Sequence, residues 1–174
     1  MYQPAVKLLY KMKRIRIIAV IMSFIFAFNS CEKDEDIDNQ KPEIDLTIQD
    51  AFPVSCDTLY FGETFILKVK FTDNVQLGSY SVDIHNNFDH HSHSTEVTEC
   101  ILDPIKTAVN PFTFIEDYDI AKGLKSYETN LSITIPTGSA TGLFDDGDYH
   151  FFISLTDNEG WSAQKGLSIK ILHR

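Results

Sequence analysis

The residues best suited to chemistry in this chain are histidines. Five of the six stand at two places: His85, His90, His91 and His93 within the run Asp83-Ile84-His85-Asn86-Asn87-Phe88-Asp89-His90-His91-Ser92-His93, and His150 within Asp148-Tyr149-His150. Neutral imidazole is the commonest side-chain metal ligand, and zinc asks for three or four ligands in a tetrahedral array. His85, His91, His93 and His150 are the metal-ligand candidates. His91 and His93 are two apart and point the same way in an extended segment, whereas consecutive His90 and His91 point apart. Only one of His90 and His91 is therefore expected in a given ligand set, which makes His90 a secondary candidate. Asp89 is also secondary, as an oxygen ligand or as a carboxylate that holds a ligand imidazole, and Asp83 and Asp148 could hold rings in the same way. The cluster contains no thiolate or thioether, and Met1, Met12 and Met22 all lie far upstream. Such a ligand set suits Zn²⁺ or Cu²⁺ over Cu(I). The competing readings are a polar loop that happens to be rich in histidine and a pH sensor whose rings charge near pH 6.

The elements that must position these rings are strands. Period-two alternation recurs between turn residues: Ile44, Leu46 and Ile48; Phe65, Leu67, Val69 and Phe71 in one run; Tyr80, Val82 and Ile84; Leu131, Ile133 and Ile135; Tyr149, Phe151, Ile153 and Leu155; Leu167, Ile169 and Ile171. No amphipathic helical period is present, and residues 117–125 could hold at most a short helical turn. The pattern predicts an all-β fold, an immunoglobulin-like or cadherin-like β-sandwich of about seven strands. Thr72-Asp73-Asn74 and Thr156-Asp157-Asn158-Glu159-Gly160-Trp161 are expected to be strand-end turns in which Asp closes on its own backbone, with calcium as the rival reading. Alternation places His85 and His150 on the outward faces of the third and sixth strands. These neighbours pair antiparallel in such a sandwich, so the two rings should meet at one end of one sheet, with the loop from Asn86 to Thr95 leaving from there.

The N-terminus is a targeting segment. Lys7, Lys11, Lys13, Arg14 and Arg16 precede an apolar run from Ile17 to Phe28, too short to span a bilayer comfortably, and Met12 is an alternative start. Ser30-Cys31 resembles the lipobox of bacterial lipoproteins, which implies cleavage before Cys31 and its lipidation. The following Glu32-Lys33-Asp34-Glu35-Asp36-Ile37-Asp38 resembles the acidic tag of lipoproteins displayed on the outer face of the outer membrane. The expected organisation is a signal peptide over 1–30, an acidic tether over 31–42 and one sandwich domain over 43–174. The first thirty residues hold five basic groups and no acid, so the remainder carries −15 against −10 for the whole chain. Such a body repels nucleic acid and attracts cations. Cys56 and Cys100 remain after Cys31 and are expected to form a disulfide outside the cytoplasm, with soft metal ligation as the alternative.

The strings Asp73-Asn74, Leu77-Gly78-Ser79-Tyr80, Asp83 to His93, Gly147-Asp148-Tyr149-His150 and Asp157-Asn158-Glu159-Gly160-Trp161 resemble a domain-of-unknown-function family of Bacteroidota envelope lipoproteins with an Ig-like body. The resemblance covers nearly all of the mature chain. It implies an outer-membrane lipoprotein exposed on the cell surface, and no activity. The expected function is binding of a divalent metal, zinc or copper, for uptake or sequestration, with an outer-membrane transporter as a further partner. The alternative is a metal-free structural or adhesive module that binds through loops or sheet edges. An enzyme is not expected: neither an HExxH-type helix nor a nucleophile constellation is present, although Glu96 and Glu99 follow the cluster.

Overall fold

The computed structural model describes residues 38–92, 95 and 99–174. The signal segment, Cys31, the first residues of the tether and His93 lie outside the described residues. The described body forms one compact unit from Asp38 to Arg174. It therefore begins ahead of residue 43, and Asp38, expected in a solvated tether, is buried.

The described elements are all strands: β1 (Glu43–Asp45), β2 (Thr58–Tyr60), β3 (Thr64–Leu67), β4 (Lys70–Thr72), β5 (Leu77–Asn86), β6 (Phe114–Asp119), β7 (Ser126–Glu128), β8 (Leu131–Thr134), β9 (Gly138–Ser139), β10 (Gly142–Leu143), β11 (Gly147–Asp157) and β12 (Ser162–Leu172). One sheet runs β2-β12-β11-β5-β6. The other layer is built from β1-β4-β7 and β3-β8, with β9-β10 a small hairpin. The strand count exceeds seven because long runs are interrupted. Phe65 to Phe71 is expected as one strand, but it breaks at Lys68-Val69, where Thr129 inserts: its hydroxyl donates to the Leu67 carbonyl (2.7 Å) and accepts from the Val69 amide (3.0 Å). The period survives the break, since Leu67, Val69 and Phe71 are all fully buried. Residues 117–119 are strand, not helical turn: Ser79, Tyr80 and Ser81 of β5 pair with Asp119, Tyr118 and Asp117 of β6.

The alternating apolar residues of both layers form a single core. Phe71 of β4 meets Tyr80 of β5 at 5.0 Å between ring centroids, and Phe65 of β3 meets Phe151 of β11 at 6.1 Å. Burying such side chains contributes about 1.5–3 kcal/mol each. Gly78 lies where β5 crosses a register shift at Thr156/Asp157, and a Cβ there would stand 2.6 Å from the Asp157 carbonyl oxygen. Only glycine allows that approach.

Candidate metal centre

The antiparallel pairing of β5 with β11 sets His85 directly opposite His150, with Ile84 opposite Phe151 and Asn86 opposite Tyr149. Tyr149 and Phe151 enter the core, so His150 takes the other face. That is the outward face expected from alternation. It is covered by the connection from β5 to β6, and His150 is 1% exposed.

Local chemistry explains the covering. Asn87 donates its amide to the Asp148 carbonyl (2.8 Å), and Phe88 is buried against Tyr149 at 5.3 Å. Gly147, at φ +131°, leaves room for the Phe88 ring, which a Cβ would approach to 3.3 Å. The His90 amide closes a turn onto the Asn87 carbonyl (3.2 Å), and His90 has φ 59°, so the chain folds back over the sheet. Farther along, Thr95 exchanges hydrogen bonds with Gly166 of β12. Cys56 and Cys100 are joined in a disulfide, which removes both as thiolate ligands. The Cys56 amide donates to the carbonyl of Ser168, the β12 residue opposite His150.

Three imidazoles converge as a result. Ring centroids are 5.4 Å apart for His85 and His150, 5.0 Å for His91 and His150, and 5.8 Å for His85 and His91. Three imidazoles on one tetrahedral ion, each bonded at about 2.0–2.1 Å, place their ring centres about 5.2 Å apart. Each ring is also held by an acceptor. His85 Nδ1 donates to Asp83 Oδ1 (2.8 Å), His91 Nδ1 to Asp89 Oδ1 (2.5 Å), and His150 Nε2 to the His91 carbonyl (3.0 Å). A neutral imidazole has one N–H, so these bonds make Nε2 of His85 and His91 and Nδ1 of His150 the unprotonated, ligand-type nitrogens. The hydrogen bond from His91 lowers the pKa of the Asp89 carboxyl below the ordinary aspartate value. An open groove of about 620 Å³ lined in part by His85, His91 and Asp89 connects the cluster to solvent.

The remaining candidates fall elsewhere. His90 turns away and donates Nε2 to the Asp103 carbonyl (2.9 Å). Asp89 holds a ring. Asp83 does as well, whereas Asp148 accepts from the Asp103 amide (2.7 Å) and pairs with Lys170 (2.8 Å). Burial opposes the charge of Lys170, yet hydrogen bonds to Asp103 and Asp148 outweigh it and raise its pKa above the ordinary lysine value. This Lys170–Asp148–Asp103 lock fixes the returning arm of the loop. Asp103 was not singled out from sequence, since nothing local marks it. His173, the sixth histidine, donates to the Phe144 carbonyl (2.8 Å) and stacks on Phe61.

Comparison with known proteins adds a family and little else. The model of a family described as Domain of unknown function (DUF4625) matches residues 29–172. No curated protein matches the chain. Among solved structures, Spo0M, a sporulation control protein from Bacillus subtilis, is similar with a TM-score of 0.35 and 11% identity, over 77% of this chain and 49% of that one. The chain thus spans about half the length of that protein, and a likeness at this level carries no argument.

Proposed function

This chain belongs to the DUF4625 family, and from its own site we propose that it is an envelope lipoprotein that binds a divalent transition metal, zinc or copper(II), through His85, His91 and His150. The observation that carries the reading is the spacing of the three rings, 5.0–5.8 Å between centroids, together with an oxygen acceptor on one nitrogen of each. Carboxylates that orient ligand imidazoles are a regular part of zinc sites, and Asp83 and Asp89 stand two residues before the rings they hold. With both body cysteines in a disulfide, the nearby donor set is nitrogen and oxygen, which favours Zn²⁺ or Cu²⁺ over Cu(I). The role is uptake or sequestration, with the chain anchored through Cys31 in the outer membrane and facing the cell surface.

Calorimetric titration of the full chain in detergent with zinc and with copper(II) tests this reading. One ion per chain with a Kd below about 1 μM is expected, and a Kd weaker than about 1 mM contradicts it. Globomycin-sensitive processing that depends on Cys31 tests the anchor. A second reading, docking of a partner protein through the same loop, is favoured by the exposure of Ile101, Ile105 and Val109 (89%, 67% and 87%). A metal-free module of that kind gives no reason for three imidazoles to be gathered and oriented.

A further inference from the structure

A second group of donors lies at the other end of β11. Asp157 ends that strand, and its Oδ1 accepts from the amides of Glu159 (2.9 Å), Gly160 (2.7 Å) and Trp161 (2.8 Å). Asp73, after β4, closes its own turn: Oδ2 accepts from Val75 (2.7 Å) and Gln76 (2.6 Å). The two turns are stitched together by the Asn158 amide on the Gln76 carbonyl (3.0 Å) and by Gln76 Nε2 on Asn158 Oδ1 (3.2 Å). These bonds are the backbone closure that the sequence suggests, and they use one oxygen of each carboxylate.

The other oxygens are left over. Asp38 arrives from the N-terminal segment, held by Trp161 Nε1 on its carbonyl (3.1 Å). One carboxylate oxygen from each of Asp38, Asp73 and Asp157 lies within 4.8 Å of the other two. Asp38 and Asp157 are 8% and 4% exposed, and Asp38 Oδ2, Asp73 Oδ1 and Asp157 Oδ2 are buried with no hydrogen-bond partner. Among the described residues, no lysine, arginine or histidine forms an ion pair with any of the three. Gathering three carboxylates while leaving an oxygen of each unsatisfied is strongly unfavourable unless a cation offsets it. Turn closure alone needs neither Asp38 nor these second oxygens.

We infer that Asp38, Asp73 and Asp157 form a calcium site that fastens Asp38, at the start of the described body, to the turns after β4 and β11. All-oxygen donors select a hard cation. Calcium accepts irregular shells of oxygens at about 2.3–2.6 Å, whereas magnesium at about 2.0–2.1 Å demands near-ideal octahedral geometry and keeps several waters, so three carboxylates fixed by separate segments suit calcium. Water completes the six to eight ligands that calcium takes. This site is separate from the histidine cluster, since His150 and Asp157 lie near opposite ends of the eleven-residue strand β11.

Equilibrium dialysis with radioactive calcium and thermal unfolding, both on the full chain in detergent after EGTA treatment, test the inference. One calcium per chain is expected. Calcium at 10 mM should raise the Tm by about 4–14 °C, the range for a site with a Kd of about 10⁻⁴–10⁻³ M, and 10 mM magnesium should do much less. Asp38→Asn lies outside every strand and keeps an acceptor for the Gln40 amide, which Asp38 Oδ1 now receives at 3.1 Å. It should abolish the calcium shift while leaving the Tm in EGTA at or above that of the parent, because one of three repelling charges is gone. His85→Ala should keep the shift. Absence of calcium in dialysis, an equal shift with magnesium, or a calcium shift that survives Asp38→Asn overturns the site. A Tm that follows pH but not calcium also overturns it, since the carboxylates then share a proton.

Discussion

Replacing Cys56 and Cys100 by serine should destabilise this fold strongly. The bridge closes a segment with a sequence separation of 44. On the chain-entropy relation, loss of such a closure destabilises by about 4 kcal/mol at 25 °C. For a unit the size of Asp38–Arg174, one kcal/mol moves the Tm by about 3–5 °C, so the variant should unfold about 12–20 °C lower. The closed segment contains β2 through β5 and the histidine loop, and Cys100 begins the arm that carries Asp103 back to His90 and Lys170. Zinc affinity should therefore fall in parallel. Scanning calorimetry of the oxidised parent, the reduced parent and the double serine variant measures the first effect, and titration measures the second. A Tm drop under about 3 °C would refute the reasoning, because a closure of this length cannot contribute so little if the unfolded chain is open. Two free thiols in denatured, unreduced protein would remove its premise.

Three further outcomes are expected. Asp83→Asn removes the charged acceptor on His85 Nδ1 and should weaken zinc binding by about 10–100-fold with little change in Tm; an unchanged Kd would show that Asp83 does not orient the ring. Thr129→Val leaves the Leu67 carbonyl and Val69 amide without their buried partner and should destabilise by about 2–5 kcal/mol in denaturant titration; a change under about 1 kcal/mol would contradict that accounting. Burial raises the pKa of Tyr149 to about 12 and pushes that of Tyr80 still higher. The native state then keeps two protons that the unfolded chain loses above about pH 10, so stability is complete below that pH and falls by about 1.4 kcal/mol per pH unit for each tyrosine above it. Equal denaturant midpoints at pH 9.5 and 11.5 would rule this out.

The sandwich could be read from the chain because alternation is a local signal: every apolar residue in Tyr80-Val82-Ile84 and Tyr149-Phe151-Ile153-Leu155 is buried. The pairing of His85 with His150 was legible too, since strand order follows from sandwich topology and register from the position of each ring at its strand end. Interruptions were not. Nothing around Lys68-Val69 announces that Thr129, sixty positions away, breaks the strand. How fully the outer histidine face is covered was not legible for the same reason, because it depends on Phe88 finding the space above Gly147 and on the Lys170–Asp148–Asp103 lock. The turns at Asp73 and Asp157 are written in their own sequences. Their meeting with Asp38 is not, since three distant segments supply one carboxylate each.

The most direct test of the account is anomalous diffraction at the zinc edge from crystals grown with one equivalent of zinc. A single strong peak is expected about 2.0–2.1 Å from ring nitrogens of His85, His91 and His150. Its contradiction is a map in which those three rings stand 5.0–5.8 Å apart with no peak between them, or in which the peak lies elsewhere on the chain.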